Sequence, residues 1–149
     1  MKSPSGFLWK NPWKKETLLT YYYSAIFRMQ LLLLPPGKLR KGWGRENEES
    51  AGTASREGYR QAARIAQIVG KVCDKTPWES KCLVRALAAQ RLLCRRGLSS
   101  TLYLGCGMEE GKMVAHAWLR FGKMYVTGGD GGGYTTVARF CKEASGKRG

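Results

Sequence analysis

A cysteine at the start of a predicted helix is the residue of this chain best placed for nucleophilic chemistry. The stretch Pro77–Leu87 predicts a turn and then a helix, with Ser80 as the N-cap and Cys82 in the first helical turn. A thiol there faces unpaired backbone N–H groups and the positive end of the helix dipole, and Lys81 adds positive charge. These surroundings favour the thiolate, the nucleophilic form of cysteine. The alternative is a packing residue, because free cysteine is among the most buried residue types.

The chain has a single histidine, His116, and it is the natural partner for Cys82. The pattern Met113–Phe121 predicts a strand on which His116 shares one face with Val114 and Trp118. A Cys–His pair needs the imidazole near the sulfur, first to hold the thiolate and later to protonate the leaving group. A helix N-terminus packed against the centre of a sheet permits this arrangement. The alternative is a core histidine bonded to backbone.

A third group is expected to orient the imidazole. A hairpin turn at Gly122–Lys123 predicts that His116 faces Gly128–Gly129, which have no side chains. Asp130 is the carboxylate nearest to that point in the sequence and can reach the His116 face diagonally. Asp130 is therefore the predicted orienting acid, although an aspartate in a glycine-rich turn is also common. Thr127 and the backbone carbonyls of the glycine run are the alternatives.

The elements that would position these residues are helices first and strands afterwards. Helical patterns cover Glu16–Leu34, about Ser55–Asp74 and the Cys82 helix up to Gly97. Strand patterns cover Ser100–Cys106, Met113–Phe121, Met124–Thr127 and Tyr134–Phe140. Helices followed by an antiparallel sheet predict an α+β fold. We expect residues 1–54 to form an arm and an apolar helix with a basic connector, and residues 55–149 to form the domain that carries the chemistry.

The first helix, Glu16–Leu34, is apolar on more than one face and is stopped by Pro35–Pro36. It is too short and too interrupted by polar residues to predict a membrane span. We expect it to be buried against the domain or a partner protein. Peripheral contact with a membrane surface is the alternative, because aromatic and basic flanks fit there.

Charge and cysteine content narrow the function classes. Lys and Arg number 26 against 11 Asp and Glu, which gives a net charge of +15. This balance suits nucleic acid, an anionic membrane or an acidic protein, but no zinc finger, RNP-type pattern or recognition helix supports nucleic-acid binding.

Five cysteines, an odd number without a signal peptide, predict reduced thiols in the cytoplasm. Without a C-x-x-C pair or a P-loop pattern, we expect no metal and no cofactor.

The segments around Cys82 and His116 closely resemble the transglutaminase-like leader peptidases of lasso peptide biosynthesis, in the form that is a separate chain. The resemblance covers roughly residues 55–141. It rests on Lys81–Ala88, Leu92–Leu93, Arg95–Gly97, Leu102–Gly105, Ala115–Leu119, Val126–Gly129 and Tyr134–Thr135. It implies a transglutaminase-like (papain-like) cysteine peptidase fold, with helices followed by a small antiparallel sheet.

The activity implied by the resemblance is removal of the leader from a ribosomally made precursor peptide, with Cys82 as nucleophile and His116 as general base. The family's acid falls at Gly128, so this chain departs there, and Asp130 or a backbone carbonyl would take the third role. The implied partners are the precursor peptide, a small leader-recognition protein and an ATP-dependent macrolactam synthetase. The alternatives are a Cys–His acyltransferase with an amine acceptor, a nucleic-acid-binding module and a catalytically inactive scaffold.

Overall fold

The computed structural model describes residues 13–75 and 82–143. Within these ranges, four strands of an antiparallel sheet follow the helices and one short strand lies between them, so the predicted α+β class is confirmed. The helices are α1 (Lys14–Leu33), α2 (Pro36–Arg40), α3 (Arg56–Lys75) and α4 (Cys82–Arg95). The strands are β1 (Arg45–Glu46), β2 (Ser100–Glu109), β3 (Lys112–Phe121), β4 (Met124–Thr127) and β5 (Thr135–Lys142). They lie in the order β1-β5-β2-β3-β4.

The helical layer is held together by apolar side chains at helical spacing. On α3, Ala62, Ile65 and Val69 are buried, as their spacing in the sequence predicts. Leu87 and Leu92 of α4 are buried in the same core, which also contacts the sheet. The predicted helices therefore form where expected because each has an apolar face to bury.

Helix α1 is divided between the core and solvent. Tyr23 and Phe27 are buried against α3 and α4, which confirms the expectation that this helix packs on the domain. Its opposite side exposes apolar residues, which we call the α1 outer row: Leu18, Tyr22, Met29, Leu32 and Leu33. No helix in the described part of the chain is long and apolar enough to cross a membrane.

The basic connector, residues 38–45, has secondary structure. It contains the end of α2, a 3-10 turn at Lys41–Trp43 and the beginning of β1. The physical reason is Trp43, which is buried edge-on against Phe140 at a ring-centroid distance of 5.3 Å. The Trp43 carbonyl also accepts a hydrogen bond of 3.0 Å from the buried side-chain amide of Gln90. The division of the chain at residues 54/55 stays a prediction.

The two faces of the sheet differ in composition. Residues paired across antiparallel strands lie on the same face, and side chains alternate along each strand. Leu102, Leu119 and Phe140 therefore share the face that packs on the helices, which we call the inner face. Tyr103 is paired with Trp118 on the opposite face, which we call the outer face, and their rings stack at 5.6 Å.

A polar network covers part of the outer face. The Tyr103 hydroxyl donates to Glu49 at 2.7 Å and accepts from Arg120 Nε at 2.9 Å. Arg120 also donates to the carbonyls of Gly122 at 2.6 Å and of Ser50 at 3.2 Å. These bonds attach the segment before α3 to the sheet, so Tyr103 and Trp118 are almost fully buried.

Candidate functional site

Cys82 is the first described residue of α4, in agreement with its predicted place in the first helical turn, and its side chain is half-buried at the margin of the core. The N-cap prediction for Ser80 and the contribution predicted for Lys81 lie outside the described residues. At its other end the helix stops before Gly97, where the N–H of Leu98 donates to the carbonyl of Leu93 at 2.9 Å. Packing of α4 on β2 and β3 holds the helix across the sheet that carries His116.

His116 lies on β3, on the outer face of the sheet, and is half-buried. Its Nε2 is 2.7 Å from the carbonyl oxygen of Gly128. A carbonyl oxygen can only accept a hydrogen bond, so Nε2 must carry the hydrogen and donate it. In the neutral imidazole, Nδ1 is then the nitrogen free to accept a proton. This is the protonation pattern that a general base for a thiol requires.

Gly128 presents its carbonyl because its backbone is left-handed, with φ of +76°. A Cβ at this position would stand 2.4 Å from the carbonyl oxygen of Ala117, so a side chain does not fit without a shift of the backbone. The β3–β4 ladder follows the predicted hairpin at Arg120↔Tyr125, then shifts by one residue. The backbone oxygen of Gly128 thus bonds to His116.

Asp130 is exposed, and its Oδ1 accepts a 2.9 Å hydrogen bond from the N–H of Gly132. This is a local turn contact of the kind aspartate often makes in glycine-rich loops. Thr127, the other side-chain alternative, has a buried hydroxyl with no hydrogen-bond partner among the described residues. Of the three groups considered from the sequence, the backbone carbonyl is the one bonded to the imidazole. A catalytic role for Asp130 stays a prediction.

Sequence reasoning missed Tyr134 as part of the site. Its ring stacks on His116 with centroids 4.6 Å apart and planes 28° apart. On the same face, His116 and Trp118 lie 5.8 Å apart, with planes at 25°. The Tyr134 hydroxyl donates to the carboxylate of Glu109. That bond is the first cause of the raised pKa of the Tyr134 phenol, followed by burial and by the electrostatic effects of Glu109 and Cys82. Tyr134 therefore contacts the imidazole, and Cys82 is one of the groups that raise the pKa of its phenol.

Two glycines in β2 make room for the aromatic rings of the outer face. A Cβ on Gly105 would stand 2.8 Å from the ring of Trp118. A Cβ on Gly107 would stand 2.9 Å from the ring of Tyr134. Glycine inside a strand often marks a close approach of this kind, so the Gly105 and Gly107 pair was the available sequence signal.

The other cysteines lie in different surroundings. Cys73, Cys94 and Cys141 are buried, and Cys106 is half-buried on β2. Burial is the main cause of a raised pKa for the Cys141 thiol. Within the described residues, no group of three or more His, Cys, Asp or Glu side chains could hold a metal ion.

The family model of the transglutaminase-like superfamily matches residues 31–139, a range that contains Cys82, His116 and Gly128. The chain belongs to this superfamily. The superfamily includes cysteine peptidases and acyltransferases. Searches of curated proteins and of solved structures gave no match.

Proposed function

We propose that this transglutaminase-like protein is a cysteine peptidase that removes the leader from a lasso precursor peptide. The observation that carries the proposal is the arrangement around His116. Its Nε2–H donates to the Gly128 carbonyl, which leaves Nδ1 to accept a proton, and Tyr134, which stacks on the imidazole, has a pKa that Cys82 helps to raise. The resemblance of the Cys82 and His116 segments to the leader peptidases gives the substrate class.

The first half of the reaction forms an acyl-enzyme. The Cys82 sulfur, its proton taken by Nδ1 of His116, attacks the carbonyl carbon at the junction of leader and core. Backbone N–H groups at the start of α4 stabilise the negative oxygen of the tetrahedral intermediate. When that intermediate collapses, the C–N bond breaks, and the His116 imidazolium gives its proton to the departing amine of the core peptide.

The second half releases the leader. Water attacks the thioester carbonyl, His116 takes a proton from the water, and the C–S bond breaks to regenerate Cys82 and a leader carboxylate. The free amine on the core peptide is the group that a macrolactam synthetase needs for ring closure. The product of this protein is therefore the substrate of an ATP-dependent partner.

We assign the third role to the carbonyl of Gly128 rather than to Asp130. Asp130→Asn keeps an oxygen that can accept from Gly132 and removes the negative charge. We expect the rate to be unchanged within about twofold, since surface changes away from an essential contact have small effects. A drop of tenfold or more would assign the orienting role to the Asp130 carboxylate.

Recognition of the leader is delegated, in this proposal, to a small leader-recognition protein that docks on the α1 outer row. Leu32 and Leu33 are 65% and 73% exposed, which suits an apolar contact. Leu33→Asp should weaken cleavage that depends on the partner, whereas Val137→Asp, at a similarly exposed position on β5, should not. If Leu33→Asp instead abolishes binding to anionic vesicles and leaves the partner's effect intact, the row contacts a membrane surface.

The decisive experiment mixes the protein with a lasso precursor peptide and the leader-recognition protein, and follows the products by mass spectrometry. Cys82→Ala should abolish leader release. Cys106→Ala is the matched control, because Cys106 is also half-buried but lies on β2, and it should leave release intact. Undiminished release by Cys82→Ala would overturn the proposal.

The same assay separates a peptidase from an acyltransferase. With a primary amine added, a peptidase yields a leader that ends in a free carboxylate. An acyltransferase yields a leader whose mass corresponds to an amide of the added amine. Predominant amide formation would replace the peptidase proposal with the acyltransferase alternative.

A further inference from the structure

His116 is held by few contacts for a residue that must keep one orientation through two proton transfers. Among the described residues, its ring has one hydrogen-bond partner, the carbonyl of Gly128. A single bond at Nε2 fixes one atom of the imidazole but leaves the plane of the ring free to tilt around that bond. Side chains on either side must therefore fix the plane.

Tyr134 supplies such a contact. Its ring stacks on the imidazole at 4.6 Å, a closer approach than that of Trp118 at 5.8 Å. The Tyr134 ring is itself fixed at its far end by the hydrogen bond from its hydroxyl to Glu109. Gly107 leaves room for the ring, because a Cβ there would collide with it.

We propose that Tyr134 is a positioning residue for His116, and that its ring fixes the imidazole plane so that Nδ1 stays available to the Cys82 thiol. Stacking on Tyr134 fixes the plane of the imidazole ring. The hydrogen bond to the Gly128 carbonyl determines which ring nitrogen carries the hydrogen. Glu109 acts one step further away, by holding the tyrosine. This inference rests on the proposed role of His116 as the general base.

The single histidine makes the proposal measurable without any substrate. In protein labelled with ¹⁵N and ¹³C in histidine, every imidazole resonance belongs to His116. The wild-type spectrum should show an Hε2 proton protected from exchange by its bond to Gly128, together with a ring-current shift from Tyr134. Tyr134→Leu should lose both signals, while Tyr134→Phe, which keeps the stacked ring but loses its hydrogen bond to Glu109, should weaken them only partly.

The rate of leader release in the Tyr134 variants should change in parallel with these NMR signals. Tyr134→Leu should lower kcat for leader release about 10- to 100-fold with KM nearly unchanged, since small misplacements of a catalytic group have effects of this size. Tyr134→Phe should stay within a few-fold of wild type. Tyr125→Leu, on β4 and 41% exposed, is the control for loss of a tyrosine from the sheet.

Gly107→Ala is a second route to the same result. It keeps Tyr134 but places a methyl group 2.6 Å from the Gly133 carbonyl oxygen and 2.9 Å from the Tyr134 ring. Because both contacts displace the Tyr134 ring, the variant should reduce the ring-current shift and kcat together. If Tyr134→Leu and Gly107→Ala leave the Hε2 signal, the ring-current shift and kcat unchanged in an active protein, the positioning proposal is overturned. If the wild type releases no leader but shows the predicted spectra, the proposed function fails and the positioning role stands.

Discussion

The inner and outer faces of the same sheet are built in different ways. On the inner face, Leu102, Leu119 and Phe140 are at most 1% exposed and meet the helices through apolar packing. On the outer face, Tyr103 and Trp118 are buried by rings, hydrogen bonds and a connecting segment rather than by a layer of helices. The inner face stabilises the fold through close packing and buried apolar area. The outer face instead holds individual side chains in defined orientations.

This difference explains where chemistry is found. An apolar face tolerates exchanges of similar volume, because contacts there have little directional requirement. Stacked rings and hydrogen bonds have defined geometry, so a face made from them can hold an imidazole in one orientation. His116 and Tyr134 lie on this second face. We therefore expect changes on the inner face to alter stability most, and changes on the outer face to alter local geometry.

The largest effect should come from Leu119→Ala on the inner face. Leu119 is fully buried, and its truncation should lower the free energy of unfolding by about 2–5 kcal/mol through lost burial and a new cavity. Urea denaturation measures this change. Leu33→Ala, on the exposed α1 outer row, is the matched control and should change stability by less than about 0.5 kcal/mol. Equal losses in the two variants would contradict the distinction between the core and that row.

Comparing Gly128→Ala with Gly129→Ala should show whether the His116 hydrogen bond is lost through backbone strain in the loop or through displacement of the Gly128 carbonyl. Both positions have a positive φ, +76° and +77°, so each substitution should destabilise the fold by about 1–2 kcal/mol. Only at Gly128 would the new Cβ collide, with the carbonyl oxygen of Ala117, whereas nothing lies within 4 Å at Gly129. Gly128→Ala alone should therefore lose the His116 Hε2 resonance. Loss of that resonance in both variants would show that loop strain, not the collision, controls the imidazole.

A smaller effect is expected from Tyr103→Phe on the outer face. The change removes the hydroxyl that joins Glu49 to Arg120 and should lower the free energy of unfolding by about 1–2 kcal/mol, since both partners lose a hydrogen bond. Denaturation in urea at pH 7 measures it. Tyr125→Phe, whose ring is half-exposed on β4, should be neutral. A neutral Tyr103→Phe would mean that stacking alone maintains this face.

The smallest effect is a dependence of stability on alkaline pH. Burial is the main cause that raises the pKa of the Tyr103 phenol above its usual value of about 10. The folded protein therefore holds this proton more tightly than the unfolded chain does. This difference adds to the free energy of unfolding. The added stability is fully present below about pH 10 and is lost as the pH rises through the pKa of Tyr103 in the folded protein. Tyr103→Phe should flatten the decline above pH 10, and an unchanged slope would exclude Tyr103 as its source.

Local patterns predicted most of the elements, because helical and strand spacing reflects the face that each segment buries. The α3 core positions and the limits of β4 are examples of this agreement. Strand β1 was not predicted, since its existence depends on pairing between Arg45 and Cys141, which are far apart in the chain. Tyr134 was missed for the same reason. Its contact with His116 depends on β5 lying beside β2, and no local spacing encodes that neighbour.

The position of β5 between β1 and β2 also has a consequence for the order of folding. β1 pairs with β5, and β5 lies between β1 and β2, so β1 has no place in the sheet until the last described strand has been made. During synthesis, the hairpin of β2 and β3 can form early, with His116 already on it. Tyr134 precedes β5 directly, so the ring that contacts the imidazole arrives with the strand that completes the sheet. In a nascent chain, His116 would therefore reach its oriented state only after β5 has been synthesised.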